Sequence, residues 1–233
     1  MADDLRRQIT TGRIKPGERL PSEAGLADRY TVTLRSALAV LQGEGLVEKI
    51  HGEGNFVRRP LHKIVYVGGW GTLDPWIAAD AALRVTVHTT TVQAHGRPTT
   101  LLKVPTGSPL AEFFCISHEG ESPHGLARIY IPRDLVPAGA LGDESPWRET
   151  VTRFAVLSSP PAAVRETVCA RPPTPEEASA LRIHPAAAVL AITRVATDAT
   201  GRVVEPALLV FPGDRVDADF TDHHMTDERQ TQG

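Results

Sequence analysis

One group of side chains in this sequence has the chemistry of a metal site, but its spacing does not build one. His118 and His124 flank a predicted turn, and Glu119 and Glu121 lie between them. Zinc sites need three or four ligands held in a fixed geometry, and a single turn of this kind does not fix one. We therefore expect no metal.

The two cysteines are the other candidates for covalent chemistry. A catalytic thiol needs a histidine and an acid beside it in space, and sequence alone cannot place such partners beside Cys115 or Cys169. Both cysteines fall at predicted strand positions, which favours buried apolar side chains. The chain also lacks a phosphate-binding glycine loop, a dinucleotide fingerprint and zinc-finger spacing. We therefore expect no catalytic residue and no cofactor.

A third group of side chains could bind an anionic polymer. The stretch GLVEKIHGEGNFVRRP, residues Gly45 to Pro60, has two apolar-rich runs around a His51-Gly52-Glu53-Gly54 corner. Glycines on both sides of one polar residue let the chain reverse, so the stretch predicts a hairpin. Its tip could approach a DNA backbone closely. The side chains that could donate hydrogen bonds to phosphates are Lys49, His51, Arg58 and Arg59. The alternative is an ordinary turn with solvated charges.

An isolated hairpin is marginally stable, so other elements must support this one. Three short helices are predicted before it, at residues 2–11, 22–30 and 31–43, with Ser22 as the N-cap of the second. The third helix carries an apolar stripe at i, i+3, i+4 and i+7 spacing, formed by Leu34, Ala37, Leu38 and Leu41. Three helices followed by a hairpin is the order of a winged helix, which predicts binding to double-stranded DNA.

The charge distribution agrees with a DNA partner at one end only. The net charge of the 233 residues is −3, whereas residues 1–60 alone carry +2. This balance excludes a uniformly basic coat and gives mild support to an anionic partner near the start of the chain. No apolar run approaches the ~20 residues of a membrane span, and residues 2–9 are charged, unlike a secretory signal. With only two cysteines, we expect a cytoplasmic protein.

The remainder of the chain contains a weak internal repeat. TTVQA at residues 90–94 is similar to ETVCA at 166–170, and YIPRDLV at 130–136 is similar to VFPGDRV at 210–216. Each copy is predicted to contain a strand, a helix and a further hairpin. The helices are expected near Arg97 to Leu102 and from Pro175 to about Arg182, the latter capped by Thr174. Two such units predict an α+β fold with a mixed, mainly antiparallel sheet and helices on one face.

These patterns divide the chain into four expected regions. They are a winged-helix DNA-binding domain at residues 1–60, a linker at 61–83, an effector-binding and dimerisation domain at 84–220, and a disordered tail at 221–233. The linker contains glycine, proline and aspartate breakers and one short predicted strand at Ile64 to Val67. The groove between two similar halves of the second domain is a natural place for a small ligand.

The first domain resembles the DNA-binding domain of the GntR superfamily of bacterial transcription regulators. The resemblance rests on PGERLPSEAGLADRY and LQGEGLVEKIHGEGNFV. It implies that the third helix lies in the major groove, with Arg35 at a retained contact position and Thr31 where the family has another arginine. Ala24 departs from the family pattern, and Thr31 directly follows Tyr30, as if three residues were absent. The full set of DNA-binding residues expected here is Ser22, Thr31, Thr33, Arg35, Lys49, His51 and Gly52.

The second domain resembles the UTRA effector domain of the HutC-like branch of that superfamily. ETVCARPPTPEEASAL and ATGRVVEPALLVFPGDRV carry this likeness. It implies a chorismate-lyase-like fold, a small-molecule effector and a homodimer paired through the second domain. The sequence is therefore interpreted as a ligand-responsive regulator, a repressor that binds operator DNA. Two alternatives stay open, namely an enzyme acting on a small carboxylate and a DNA-binding protein without a ligand.

The effector residues are also predicted from the second resemblance. Family members that sense phosphorylated sugars often carry two arginines where this chain has Cys115 and Ser117, which cannot neutralise a phosphate. This favours a small, partly apolar ligand, such as a carboxylate, bound by Ser117, Arg128 and Tyr130. The second repeat adds the candidates Arg165, Arg194 and Glu205. The alternative for Arg128 and Arg194 is an ordinary cross-strand ion pair.

Overall fold

The structure is a computed structural model that describes residues 1–21, 34–50, 52–59, 63–68, 83–136 and 161–220. Predictions that fall elsewhere lie outside the described residues. These are the second helix with its N-cap Ser22, the start of the third helix with Thr31 and Thr33, the hairpin residue His51, most of the linker and the polar tail. Every helix of the described part is too short or too polar to cross a membrane.

The N-terminal unit packs two helices against a hairpin. Its elements are α1 (Ala2–Thr10), α2 (Leu34–Gly43), β1 (Val47–Ile50) and β2 (Gly54–Val57). The hairpin, residues 47–57, pairs antiparallel from Val47 opposite Val57 to Ile50 opposite Gly54. Leu38 and Leu41 of the predicted stripe of α2 lie in the core. The buried apolar side chains are Leu5, Ile14, Leu20, Leu38, Leu41, Val47 and Val57. The first helix, the third helix and the hairpin of the sequence prediction are confirmed.

A six-stranded sheet forms the second unit. Its strands are β4 (Leu83–Gln93), β5 (Pro109–Glu119), β6 (Ser122–Pro132), β7 (Ala163–Arg171), β8 (Val189–Thr197) and β9 (Val203–Pro212). They lie in the order β4-β5-β6-β9-β8-β7, and every neighbouring pair is antiparallel. The predicted α+β fold is confirmed.

The strand order shows the internal repeat directly. The first copy is β4, α3 (Arg97–Leu102), β5 and β6, and the second is β7, α4 (Pro175–Leu181), β8 and β9. The two copies meet where β6 pairs with β9 at the centre of the sheet. Both helices begin with proline near the first position, where its fixed φ suits a helix start. The sequence similarity at 130–136 and 210–216 therefore marks equivalent ends of β6 and β9.

The sheet has two differently covered faces. On one, which we call the helix face, α3 and α4 bury Leu102 and Leu181. On the other, which we call the strand face, the apolar core contains Phe113, Ile129, Leu209 and other side chains of alternate residues. Successive residues of a strand point to opposite faces of the sheet. Whether the residue number is odd or even, which we call its parity, therefore determines the face on which its side chain lies within a given strand.

Two further strands cover the strand face. β3 (Ile64–Val67) comes from the linker and pairs in parallel with β10 (Val216–Asp219) at the end of the second unit. Ile64, Tyr66 and Val216 from this pair join the core of the strand face. The sequence predicted β3 but not β10. The linker is thus anchored to the second unit by backbone pairing.

One prediction about the cysteines is wrong. Cys115 is buried in the strand-face core, as expected, but Cys169 is exposed. Cys169 lies on β7, which pairs only with β8 and is therefore an edge strand of the sheet. A strand position with a neighbour on one side only is less covered than the same position in a central strand. Strand assignment alone did not distinguish the two cases.

Candidate DNA interface and effector site

The predicted DNA-binding residues that the structure describes lie on α2 and the hairpin. Arg35 is the second residue of α2. Lys49 is exposed on β1, and Gly52 is exposed at the hairpin tip with φ of +81°. Ser36 and Val40 are exposed along α2, whereas Leu38 and Leu41 face the core. The helix therefore has one buried side and one side that is open to a partner.

Arg58 is not available for the phosphate contact that the sequence suggested. Its side chain is 12% exposed, and Nη1 donates to Oδ2 of Asp214 in the second unit at 2.6 Å. The pair rests against Gly45, where a Cβ would lie 2.9 Å from Oδ2 of Asp214 and 3.1 Å from Nη1 of Arg58. Arg58 thus ties the end of the hairpin to the second unit, and Asp214 is a partner that sequence reasoning missed.

The junction between the two units is otherwise open. A cleft of about 950 Å³ lies between β1 and α4, and Lys49, Arg58 and Asp214 are among the residues that line it. Lys63 of the linker adds an exposed ion pair with Asp217 at 2.9 Å. The hairpin is therefore positioned by a small number of polar contacts rather than by a large apolar interface.

The six predicted ligand residues are divided between the two faces of the sheet. Arg128, Tyr130 and Arg165 have the parity of the helix face, whereas Ser117, Arg194 and Glu205 have that of the strand face. A small ligand cannot contact Ser117 and Arg128 together, because the sheet separates them. The proposed trio of Ser117, Arg128 and Tyr130 therefore does not form one site.

On the helix face, Arg128 takes part in a cross-strand ion-pair network. Its Nη1 donates to Glu112 at 3.0 Å, a second nitrogen donates to Glu176 of α4, and the guanidinium lies 4.6 Å from the ring centre of Phe114. Burial and the Glu112 carboxylate raise the pKa of Tyr130 to about 12. These contacts match the ion-pair alternative. Arg165, on the same face, is exposed on the edge strand β7.

The strand face holds a group of charged side chains within an apolar core. We call Tyr66, Glu166, Arg194 and Glu205 the buried polar cluster. The hydroxyl of Tyr66 donates to Oε1 of Glu166 at 2.6 Å, and Nε of Arg194 lies 3.4 Å from the same oxygen. Arg194 is 3% exposed and Glu205 is 2% exposed. Glu205 lies two residues from Ala207, the residue opposite Arg194 on β9, which puts it at a diagonal position.

The surroundings of Tyr66 keep its phenol neutral. Burial, the hydrogen bond to Glu166 and the charge of Glu166 all raise the pKa of Tyr66, so the phenol stays protonated and donates. Ser117 lies on the same face, fully buried, with its hydroxyl 3.4 Å from the carbonyl oxygen of Gly125. Charged groups held inside an apolar face are candidates for ligand recognition.

Sequence reasoning missed Tyr66 and Glu166. Glu166 was passed over in favour of its neighbour Arg165, although only Glu166 shares the face of Arg194, the residue opposite it on β8. Tyr66 comes from the linker, and its signal is the alternation of Ile64-Val65-Tyr66-Val67, where Ile64 and Tyr66 are buried and the two valines are exposed. Among the described residues, no three potential metal ligands lie close together.

Comparisons with known proteins match both units. The family model described as "Bacterial regulatory proteins, gntR family" matches residues 1–57, and the UTRA domain model matches residues 83–217. An uncharacterized HTH-type transcriptional regulator of Rhizobium meliloti is 30% identical, with 93% of this chain and 91% of the relative covered. The histidine utilization repressor of Klebsiella aerogenes is 29% identical, with 91% and 88% covered.

Solved structures show the same arrangement of units. The crystal structure of PhnF from Mycobacterium smegmatis has a TM-score of 0.56 and 21% sequence identity, and 96% of this chain and 99% of that chain are covered. At this identity the likeness concerns the fold alone. It extends over both units and the connection between them.

Proposed function

The chain belongs to the gntR family of bacterial regulatory proteins and carries a UTRA domain, and from this premise we propose that it is a ligand-responsive repressor of transcription. The observation that carries the proposal is the union of an N-terminal helix–hairpin unit with an effector-type sheet domain in one chain. Relatives named as repressors support the direction of regulation, among them the NagR repressor of Bacillus subtilis at 26% identity.

The DNA contact is proposed to involve α2 in the major groove and the hairpin beside it. The open side of α2, Arg35 near its start, and the exposed Lys49 and Gly52 support this placement. One such unit reads only a short half-site. We therefore propose a homodimer whose two-fold symmetry matches a palindromic operator, with the sheet domains pairing.

A mobility-shift titration tests the DNA-binding proposal. The probe is the promoter of the chain's own gene, with unrelated DNA as competitor. Arg35→Ala should weaken specific binding by about 1–3 kcal/mol if Arg35 contacts a guanine edge. Arg84→Ala is the matched control, because Arg84 is exposed on β4 of the second unit. Absence of specific binding by the unaltered protein at low salt would contradict the proposal.

The effector is proposed to bind at the buried polar cluster of the strand face. Its charged groups are enclosed by apolar side chains, as in small-molecule sites that are mostly apolar with a few polar anchors. Among its described side chains, two carboxylates accompany one guanidinium, and Cys115 and Ser117 on the same face are uncharged. A dianion such as a sugar phosphate suits this set poorly. We propose a small, partly apolar ligand that is neutral or a monocarboxylate.

Thermal shift against a metabolite panel tests the site and the ligand class together. The panel contains monocarboxylates, neutral polar molecules and sugar phosphates. A specific response should fall in Arg194→Lys and persist in Arg128→Ala, since Arg128 lies on the opposite face. A strong response to a sugar phosphate that Arg194→Lys leaves unchanged would contradict both parts.

Three further statements belong to the same proposal. The family matches at 1–57 and 83–217 support domain limits at residues 1–60 and 84–220, with a linker at 61–83. A regulator of operator DNA acts in the bacterial cytoplasm, so we propose that location. No enzymatic reaction is proposed, and turnover of chorismate-like carboxylates by the purified protein would contradict this.

A further inference from the structure

Residues Gly17 to Leu20 pair with β2 through backbone hydrogen bonds and one isolated β-bridge. The backbone N–H of Leu20 donates to the carbonyl oxygen of Asn55 at 2.8 Å. The backbone N–H of Val57 donates to the carbonyl oxygen of Glu18, also at 2.8 Å. Arg19 itself forms an antiparallel bridge with Phe56. Leu20 is 2% exposed in the core of the N-terminal unit. Because neighbouring strand residues point to opposite sides, Arg19 is directed away from the core, and it is exposed.

The side chain of Arg19 lies across the backbone at the start of β2. A Cβ on Gly54 would be 3.1 Å from Nε and 3.3 Å from Nη2 of Arg19, so the guanidinium lies close against the backbone of Gly54. Gly54 immediately follows the hairpin tip at Gly52 and Glu53. The arginine is therefore held beside the tip, although it is separated from the tip by more than thirty residues of sequence.

The charge of Arg19 is available to a partner. Within the described part of the chain, no carboxylate lies within 4.0 Å of it, in contrast to Arg58, which is paired with Asp214. An exposed cation that simply remains solvated is the alternative. It does not explain why the guanidinium lies over a glycine next to the tip rather than extending into solvent.

We propose that Arg19 binds a backbone phosphate of the operator next to the hairpin tip. This inference rests on the proposed function, and it adds to the predicted DNA contacts a residue from outside both the helix and the hairpin. A guanidinium suits a phosphate oxygen pair, and such contacts fix position on DNA without reading sequence. In this assignment Arg19, and not Arg58, is the arginine that supports the hairpin on DNA.

Arg7 provides a matched control within the same unit. It is exposed in the last turn of α1. Removing Arg7 changes the charge of the N-terminal unit as removal of Arg19 does, but on a helix that the proposal does not place on DNA.

The test is the salt dependence of operator binding by the full chain. Each phosphate contact contributes about 0.9 to the slope of log affinity against log salt. Arg19→Ala and Arg19→Gln should each reduce the slope by about 0.9, so that the unaltered protein loses about three- to fourfold more affinity than either variant between 50 and 200 mM salt. Arg19→Lys should retain the slope, and Arg7→Ala should leave it unchanged.

The possible results separate the inference from the proposed function. An unaltered protein that binds no operator contradicts the proposed function and removes the basis of the inference. Operator binding with unchanged slopes in both Arg19→Ala and Arg19→Gln overturns the inference alone. Equal reductions of the slope in Arg19→Ala and Arg7→Ala also overturn it, because they would reflect overall charge rather than a contact at the tip.

Discussion

At the scale of single residues, Tyr66 connects the linker to the buried polar cluster. Its ring packs against Phe211 and Phe220, with ring centres 6.1 and 6.3 Å away, and its hydroxyl reaches Glu166. Burial alone favours the neutral phenol, and a neutral phenol is the form that can donate to the carboxylate. Tyr66 thus stabilises the strand face in two ways, through apolar contacts of its ring and through one charge-assisted hydrogen bond.

We predict that Tyr66→Phe lowers the free energy of unfolding by about 1–3 kcal/mol. The change keeps the ring but leaves Glu166 without its phenol donor inside the core. Urea denaturation followed by circular dichroism measures the loss. In a double-mutant cycle with Glu166→Ala, the two losses should not add, because each single variant removes the same hydrogen bond. Additive losses would show that the pair is not coupled.

Only some residues of the candidate effector site could be predicted from the sequence. Residue type and the repeat were sufficient to choose Arg194 and Glu205, which both lie in the buried polar cluster. They were not sufficient to exclude Arg128 and Tyr130, whose face depends on strand register. Register is set by pairing between strands that are distant in sequence, and a shift of one residue reverses every side chain.

At the scale of elements, α4 shows the closest agreement between sequence and structure. Thr174 Oγ1 accepts from the N–H of Glu177 at 3.2 Å, and Glu177 accepts from the N–H of Thr174 at 2.8 Å, which forms a capping box. Arg171 at the end of β7 donates two hydrogen bonds to Glu177 at 2.7 and 2.8 Å. Although burial opposes it, these donors lower the pKa of Glu177. Local signals determine this helix start.

We predict that Thr174→Ala destabilises the second unit by about 1 kcal/mol, the usual cost of losing an N-cap side chain. The first repeat supplies a matched control in Thr100→Ala, because Thr100 is exposed inside α3 and is not at its N-cap, which is Gly96. Thr100→Ala removes the same side-chain atoms and should not produce a comparable loss. Thermal unfolding of the two variants and the unaltered protein checks this. A Thr174→Ala variant as stable as the unaltered protein would contradict the capping argument.

Elements made by distant pairing were harder to predict than α4. β10 is a four-residue strand with Asp217 and Asp219 among its members, and its sequence alone resembles a polar loop. It is a strand because β3 of the linker pairs with it in parallel, from Ile64 opposite Val216 onward. Parallel pairing carries no local turn signal, since its partners are joined by long connections.

At the scale of the whole molecule, the two units are connected by specific links. The pairing of β3 with β10 fixes the linker to the sheet domain. Arg58, directly after the hairpin, pairs with Asp214, which lies between the end of β9 and the start of β10. Tyr66 on β3 contacts the buried polar cluster. The linker therefore contacts the candidate effector site through Tyr66, and β3 begins only a few residues after the hairpin ends.

Because Arg58 is held by Asp214, it must leave that partner before it can approach DNA. We predict that Asp214→Ala releases Arg58 and makes the salt dependence of operator binding steeper by about 0.9, as expected for one added phosphate contact. Asp217→Ala is the matched control, because it removes the same charge from a neighbouring position whose partner, Lys63, lies in the linker. Salt titrations of both variants measure the difference. Equal slopes for the two would mean that Arg58 cannot reach a phosphate even when it is free, and that its ion pair serves only to hold the hairpin against the sheet domain.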